Sequence, residues 1–195
     1  GYTFAKGLRA ILRQDPDVVM VGEMRDVETA QIGIQASLTG HLVLSTVHTN
    51  SAIAAITRLR DMGIESFLLA SSLRTIISQR LVRRLCLDCK QESIISKQEL
   101  KLFNLDSSQK VFKSIGCNSC SHTGYQGRIA IAECVQVDKK LKELIHNNAS
   151  EDAIANHVFN KNKSINDASL ELLINGITSC EELIRVGNLK EDANI

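Results

Sequence analysis

Apolar residues recur at helical spacing at Phe4, Leu8, Ile11 and Leu12, with Thr3 in front as a cap and Pro16 beyond the end, which predicts a first helix. The period then changes. Val18, Val19, Met20 and Val21 form an unbroken apolar run between Asp17 and Gly22. Such a run between turn signals predicts a strand buried on both faces, as in a parallel sheet covered by helices. Asp26 stands as the N-cap of a helix from about Val27 to Thr39, closed by Gly40. Leu42 to Val47 repeats the buried-strand pattern and ends at His48-Thr49-Asn50. Asn50 or Ser51 caps a further helix, whose Ile53, Ile56 and Leu59 share one face until Gly63 stops it. A longer helical stretch is expected from about Glu65 to Leu85.

Strand, helix, strand, helix with short connections is the order of a parallel sheet with crossover helices, so residues 1–80 are expected to be α/β. Reactive groups in such sheets sit past the carboxyl ends of the strands. Glu23 and His48 both stand at that point, on separate strands, and are expected to face one crevice. The composition shifts at Arg80, Arg83 and Arg84. A polar segment with a short helix near Gln98 to Phe103 follows, then a Gly-rich turn at Gly124 to Gly127. From Glu133 onward the pattern is mostly helical: Leu141, Leu144 and Ile145 mark one helix, Ile165, Leu170, Leu172 and Leu173 another, and Thr178 or Ser179 begins a last one. Three consecutive parts are therefore expected, at residues 1–80, 81–130 and 131–195.

Composition narrows the classes. Hydrophobic residues at 44% and charged residues at 23% are ordinary for a globular chain. A net charge of +1 and aromatics at only 4% argue against a nucleic-acid partner. No apolar run approaches the roughly 18 residues that span a bilayer, so direct membrane insertion is not expected. The chain opens at Gly1 without a Met, and is expected to be part of a longer protein. Arg80, Arg83 and Arg84 read as a solvated face, a nucleic-acid patch or contacts to a neighbouring subunit, the second being the least favoured.

Cys86-x-x-Cys89 and Cys117-x-x-Cys120, with 27 residues between them, have paired-knuckle spacing. Each knuckle offers two thiolates from a tight turn, and four thiolates complete a closed tetrahedron, which points to structural Zn²⁺. Redox dithiols or ordinary buried thiols are the competing readings. Cys134 and Cys180 lack partners at ligand spacing and are expected to be small core residues.

Several of these stretches resemble one family. LRQDPDVVMVGEMRD at 12–26 resembles the atypical Walker B segment of the secretion ATPase superfamily that powers type II secretion and type IV pili. GHLVLSTVHTN at 40–50 resembles its histidine box, which includes His41 ahead of the strand, His48 and Thr49. The two CxxC pairs with SHTGYQGR at 121–128 resemble the tetracysteine module of the type II secretion and pilus-assembly branches. SINDASLELLINGITSCEELIRV at 164–186 is similar to the family's closing helices. GLRAILRQDPD and HTGYQGR favour the type II branch, with pilus assembly as the alternative.

The resemblance implies the C-terminal part of a RecA-like P-loop ATPase core, with a Cys₄ zinc-binding insertion and a helical C-terminal subdomain. It also implies a homo-hexamer that hydrolyses ATP with Mg²⁺, cytoplasmic and peripheral to the inner membrane, driving inner-membrane secretion platform proteins and, through them, a pseudopilus. By the same resemblance Gly22 takes the place of the Mg²⁺-binding aspartate, Glu23 polarises the attacking water, and His48 lies near the γ-phosphate. Arg25 and Asp26 are members of the motif without an assigned role, and Met24 takes the place of a more usual Ile. Without the motif, Glu23 reads as a strand-end carboxylate paired with Arg25, and His48 as a capping histidine. No G-x-x-x-x-G-K-[ST] run occurs in the chain, so the phosphate-cradling loop is missing from it and the chain by itself is expected to be inactive. A reading of another class is a non-catalytic, zinc-stapled protein-docking module.

Overall fold

Local signals fix most of the first elements in the computed structural model, which describes residues 1, 3–106 and 108–187. Helix α1 (Phe4–Ile11) is capped by Thr3, whose hydroxyl accepts from the Lys6 N–H, and a short 3₁₀ turn carries the chain to a left-handed Asp15. Strand β1 (Val18–Val21) pairs in parallel with β2 (Leu42–Ser45), Val18 lying opposite Leu42 and Val21 opposite Ser45. The crossover between them is α2 (Val27–Leu38). Asp26 caps it, accepting from both the backbone N–H and the hydroxyl of Thr29, and Gly40 at φ +108° supplies the left-handed exit. Ser51 then caps α3 (Ala52–Asp61).

The sheet differs from the expectation in one respect. Val19 and Val21 are buried with Ala5, Leu8 and Ile32, but Val18 and Met20 are exposed, as are Leu42 and Leu44. The strands are covered on one face, by α1 and α2, and open on the other. An unbroken apolar run therefore marked the strand but not the number of its covered faces.

A second correction concerns 65–85. Helix α4 runs only over Ser66–Ser72, and Thr75–Leu85 is a long strand, β3, paired with another, β6 (Tyr125–Gln136). Ile77, Leu81 and Leu85 stand four apart and mimic a helical stripe. The β-branched Thr75, Ile76, Ile77 and Val82 favour the extended backbone, and the strand won. Between the long strands lie β4 (Gln91–Ser93), α5 (Lys97–Phe103) and β5 (Val111–Lys113), with β4 and β5 antiparallel. After β6 come α6 (Lys139–His146), α7 (Glu151–Phe159), α8 (Ile165–Ile174) and α9 (Cys180–Val186).

The chain divides into two compact units, and they are not three consecutive segments. The first holds 1–78 and 134–162; the second holds 79–133 and 163–195, of which 188–195 lie outside the described residues, as does Tyr2. Apolar faces explain the split. Leu141 and Ile145 of α6 and Ile154 and Val158 of α7 are buried with Ile53, Ile56 and Leu69 of the first unit. Each such side chain contributes about 1.5–3 kcal/mol on leaving water. Leu173 of α8 and Cys180 and Leu183 of α9 are buried instead with Val82, Phe103 and Val111. The single helical subdomain expected at 131–195 is therefore shared between two cores. Cys180 is the core residue expected of it, whereas Cys134 is exposed.

Candidate functional site

Parallel pairing of β1 with β2 brings their carboxyl ends level, so the residues just past Val21 and Ser45 meet. Thr46 Oγ1 donates to the Gly22 carbonyl at 2.5 Å, and the Thr46 carbonyl accepts from the Met24 N–H at 3.0 Å. These two bonds tie the strand ends together and deliver Glu23 and His48 to one place. His48 Nε2 lies 3.3 Å from Glu23 Oε2, and Arg25 Nε lies 2.7 Å from the same oxygen. Thr46 was not among the candidates. Its position in register with Gly22 is the signal that identifies it.

The electrostatics follow from this packing. Arg25 lowers the Glu23 carboxyl from its ordinary value, outweighing the desolvation that raises it, and His48 adds a smaller lowering contribution. Glu23 is largely covered, at 20% side-chain exposure, whereas His48 is 81% exposed. Asp26 is also held low, by the Thr29 N–H and hydroxyl that it accepts, so its charge serves the start of α2. Gly22 has a backbone conformation open to any residue, and a Cβ there would meet nothing within 4 Å.

The remaining motif residues lie elsewhere. His41 sits at the amino end of β2, its Nδ1 within 3.0 Å of the Ala36 carbonyl at the close of α2. Four strand residues at about 3.3 Å each separate it from the Glu23 end. The Thr49 hydroxyl donates to the Ser51 carbonyl in the turn before α3. Thus Gly22, Glu23, Arg25 and His48 form a cluster that His41 and Thr49 do not join.

The four cysteines form a second cluster. All four sulfurs lie within 4.8 Å of one another. Cys86 to Cys117 and Cys89 to Cys120 are each 3.9 Å, and Cys117 to Cys120 is 3.8 Å. A tetrahedron with Zn–S bonds of about 2.3 Å has edges of about 3.8 Å, so the donor set and spacing fit that ion. Backbone N–H groups already point at the sulfurs: Gly116 at Cys89, and both Cys117 and Gly124 at Cys120. Burial pushes the Cys120 thiol up, but those two N–H donors, with the neighbouring Cys117 and Cys89 thiols, outweigh it and bring the group down to about 6. Burial raises Cys89 to about 11. The knuckle backbone is built for close approach. Gly116 adopts φ +107°, and a Cβ there would lie 2.6 Å from the His122 carbonyl oxygen.

Two of the three arginines of β3, Arg80 and Arg83, are internal braces. Glu182 of α9 is fully buried and accepts from the Arg83 N–H, the Arg83 side chain and Arg185. Arg83 also stacks on Tyr125 at 3.9 Å, and the Tyr125 hydroxyl meets Ser179 at 2.7 Å. Arg80 donates to the Val186 carbonyl. Arg84 is exposed.

A family model described as "Type II/IV secretion system protein" matches residues 1–185. The chain belongs to that family. Among curated relatives it is 57% identical to the type II secretion system ATPase E of Vibrio cholerae and 54% identical to the type II secretion system protein E of Aeromonas hydrophila. Each match covers 94% of this chain but 37% of the relative, so the chain spans little more than a third of their length. Among solved structures it is similar to the pilus retraction motor PilT with bound ADP, at 27% identity and a TM-score of 0.67, covering 98% of this chain and 44% of that one. It is also similar to the Legionella pneumophila ATPase DotB, at 21% identity and a TM-score of 0.65, over 94% and 42% of the two chains. The α/β secretion ATPase fold expected from the motifs is thus the fold observed. Among the described residues, no helix is long and apolar enough to cross a membrane.

Proposed function

We propose that this chain carries the water-activating part of a motor ATPase that drives pseudopilus assembly and protein export by type II secretion. One observation carries the reading: Glu23 and His48 meet at the ends of two parallel strands, in a chain 57% identical to a protein named as the type II secretion ATPase. In this reading Glu23 takes a proton from the water that attacks the γ-phosphoryl of ATP. His48, at 81% exposure accessible to a second partner, senses the phosphate. Mg²⁺ and the phosphates are held by the nucleotide-binding half of a full-length protein, since no Walker A run exists here. This chain alone is then inactive. Identity of 57% to a type II secretion ATPase, against 27% to a pilus retraction motor, favours the type II branch over retraction.

The Cys86, Cys89, Cys117 and Cys120 cluster holds structural Zn²⁺, which cross-links the two knuckles and has no open position for chemistry. The full-length protein works as a cytoplasmic homo-hexamer at the inner membrane, against platform proteins of the secretion system. Such a motor needs no nucleic acid and no membrane-inserted segment. Glu23→Gln in the full-length protein is the test. Hydrolysis should fall by at least about 10²-fold, the lower range for losing a general base. Turnover near the parent level would overturn the assignment of Glu23.

A further inference from the structure

The contacts of Glu23 fall on one side of its carboxylate. Arg25 Nε at 2.7 Å and His48 Nε2 at 3.3 Å both reach Oε2, and Oε1 takes part in neither. The neighbouring acids are committed elsewhere: Asp26 to the Thr29 cap, Glu28 to Arg9 at 2.8 Å. Glu23 is thus the carboxylate that this loop leaves to Arg25. Such a pair is poor for catalysis, because a base works best when its affinity for protons approaches the working pH, and a guanidinium in contact lowers that affinity. Arg25 itself is 70% exposed and anchored through Nε, so its remaining donors are accessible to a competing anion.

We propose that Arg25 is a positioning residue that parks Glu23 between turnovers. Its guanidinium occupies Oε2, and the carboxylate becomes an effective base when a phosphate-bearing anion draws Arg25 away. The role rests on the reading of Glu23 as the water-activating residue. The contact is local to one loop, and both the pair and its release involve side chains alone.

Two measurements test it. In this chain, the Glu23 carboxyl carbon is followed by ¹³C NMR through an acid titration, in the parent and in Arg25→Gln and Arg25→Lys. The Glu23 midpoint should rise towards that of a free glutamate in Arg25→Gln and stay closer to the parent in Arg25→Lys, which keeps the charge. In the full-length protein, Arg25→Gln should raise basal ATP turnover about two- to fivefold, the size that an exposed ion pair supports. An unmoved midpoint overturns the parking contact. A raised midpoint with slower turnover also overturns it, because Arg25 would then be needed in the reaction itself. Retained hydrolysis in Glu23→Gln overturns the catalytic reading, and parking with it, even where the midpoint moves as expected.

Discussion

Two glutamates, each held by two side chains, show how differently the two units use a carboxylate. Glu182 is fully buried, and each of its oxygens is engaged by Arg83, Arg185 or a backbone N–H. Glu23 meets Arg25 and His48 through one oxygen, and both partners are mostly exposed. The first arrangement offsets the cost of a buried charge only because every lone pair is used, and it resists rearrangement. The second is screened by water, contributes little to stability, and can change partners. A rigid brace and an exposed contact that can exchange follow from the same residue type.

The comparison is broken most severely at the cysteines. If the second unit depends on cross-linked knuckles, removing the metal should cost more than any substitution at the strand ends. The chain purified gently should carry about one zinc, and chelation or Cys117→Ser should abolish amide protection across β4, β5 and α9 while α3, α6 and α7 stay protected. Hydrogen exchange followed by mass spectrometry distinguishes the units. Uniform loss would mean a single cooperative fold, and no loss would mean that the thiols suffice without metal.

Next in size is Glu182→Ala. It strands Arg83 and Arg185 beside a buried void. Breaking such a network costs about 3–5 kcal/mol when fully buried, reduced here to about 2–3 because both arginines reach water. Thermal melting with Glu23→Gln as the control sharpens the contrast, since the control should melt within about 2 °C of the parent. Acid gives the same comparison without mutation. Burial alone would raise the Glu182 carboxyl, but Arg185 and Arg83 outweigh it and bring it from the ordinary 4.5 to about 2. A depressed folded value means that the stabilisation is complete above about 4.5 and is lost as pH falls towards 2. Stability measured in urea should therefore decline through that window in the parent and decline less in Glu182→Gln. An equal decline would assign the acid sensitivity to other carboxylates, Asp138 first, which the Leu141 N–H, His157 and Lys161 also hold low.

The same contrast explains what was legible. The strand ends were readable because their determinants are local: Asp26 and Ser51 cap the helices that follow, and a four-residue strand leaves no doubt where Glu23 emerges. That Glu23 and His48 meet followed from strand order alone. The brace was not readable. Arg83 and Glu182 are 99 residues apart, and nothing in either local pattern names the other. Thr75–Leu85 misled because a chance four-residue spacing of Ile77, Leu81 and Leu85 imitates a helix face. In Tyr125–Gln136 the alternation of Ile129, Ile131, Glu133 and Val135 is a period-2 signal, but a buried glutamate in the apolar register hides it. Glu133 is tolerated there because its carboxylate accepts the Ile165 N–H at the start of α8.

The smallest expected effect sharpens the comparison at its most exposed point. By the resemblance of residues 12–26 to a Walker B segment, Gly22 takes the place of an aspartate, and a glycine there has two physical explanations. Either the backbone needs it, or the space beside Glu23 does. The backbone does not need it: its φ is outside the left-handed region, and an added Cβ meets no atom within 4 Å. Gly22→Ala should therefore leave the fold intact and raise stability by about 0.4–1 kcal/mol, through the restricted unfolded chain. Gly116→Ala is the matched control in the second unit, where φ +107° and the His122 carbonyl leave no room, and it should destabilise. Denaturant midpoints of the two variants measure this directly. If Gly22→Ala proves as costly as Gly116→Ala, the turn after β1 is as tightly constrained as a cysteine knuckle, and the contrast between the two units fails at this point.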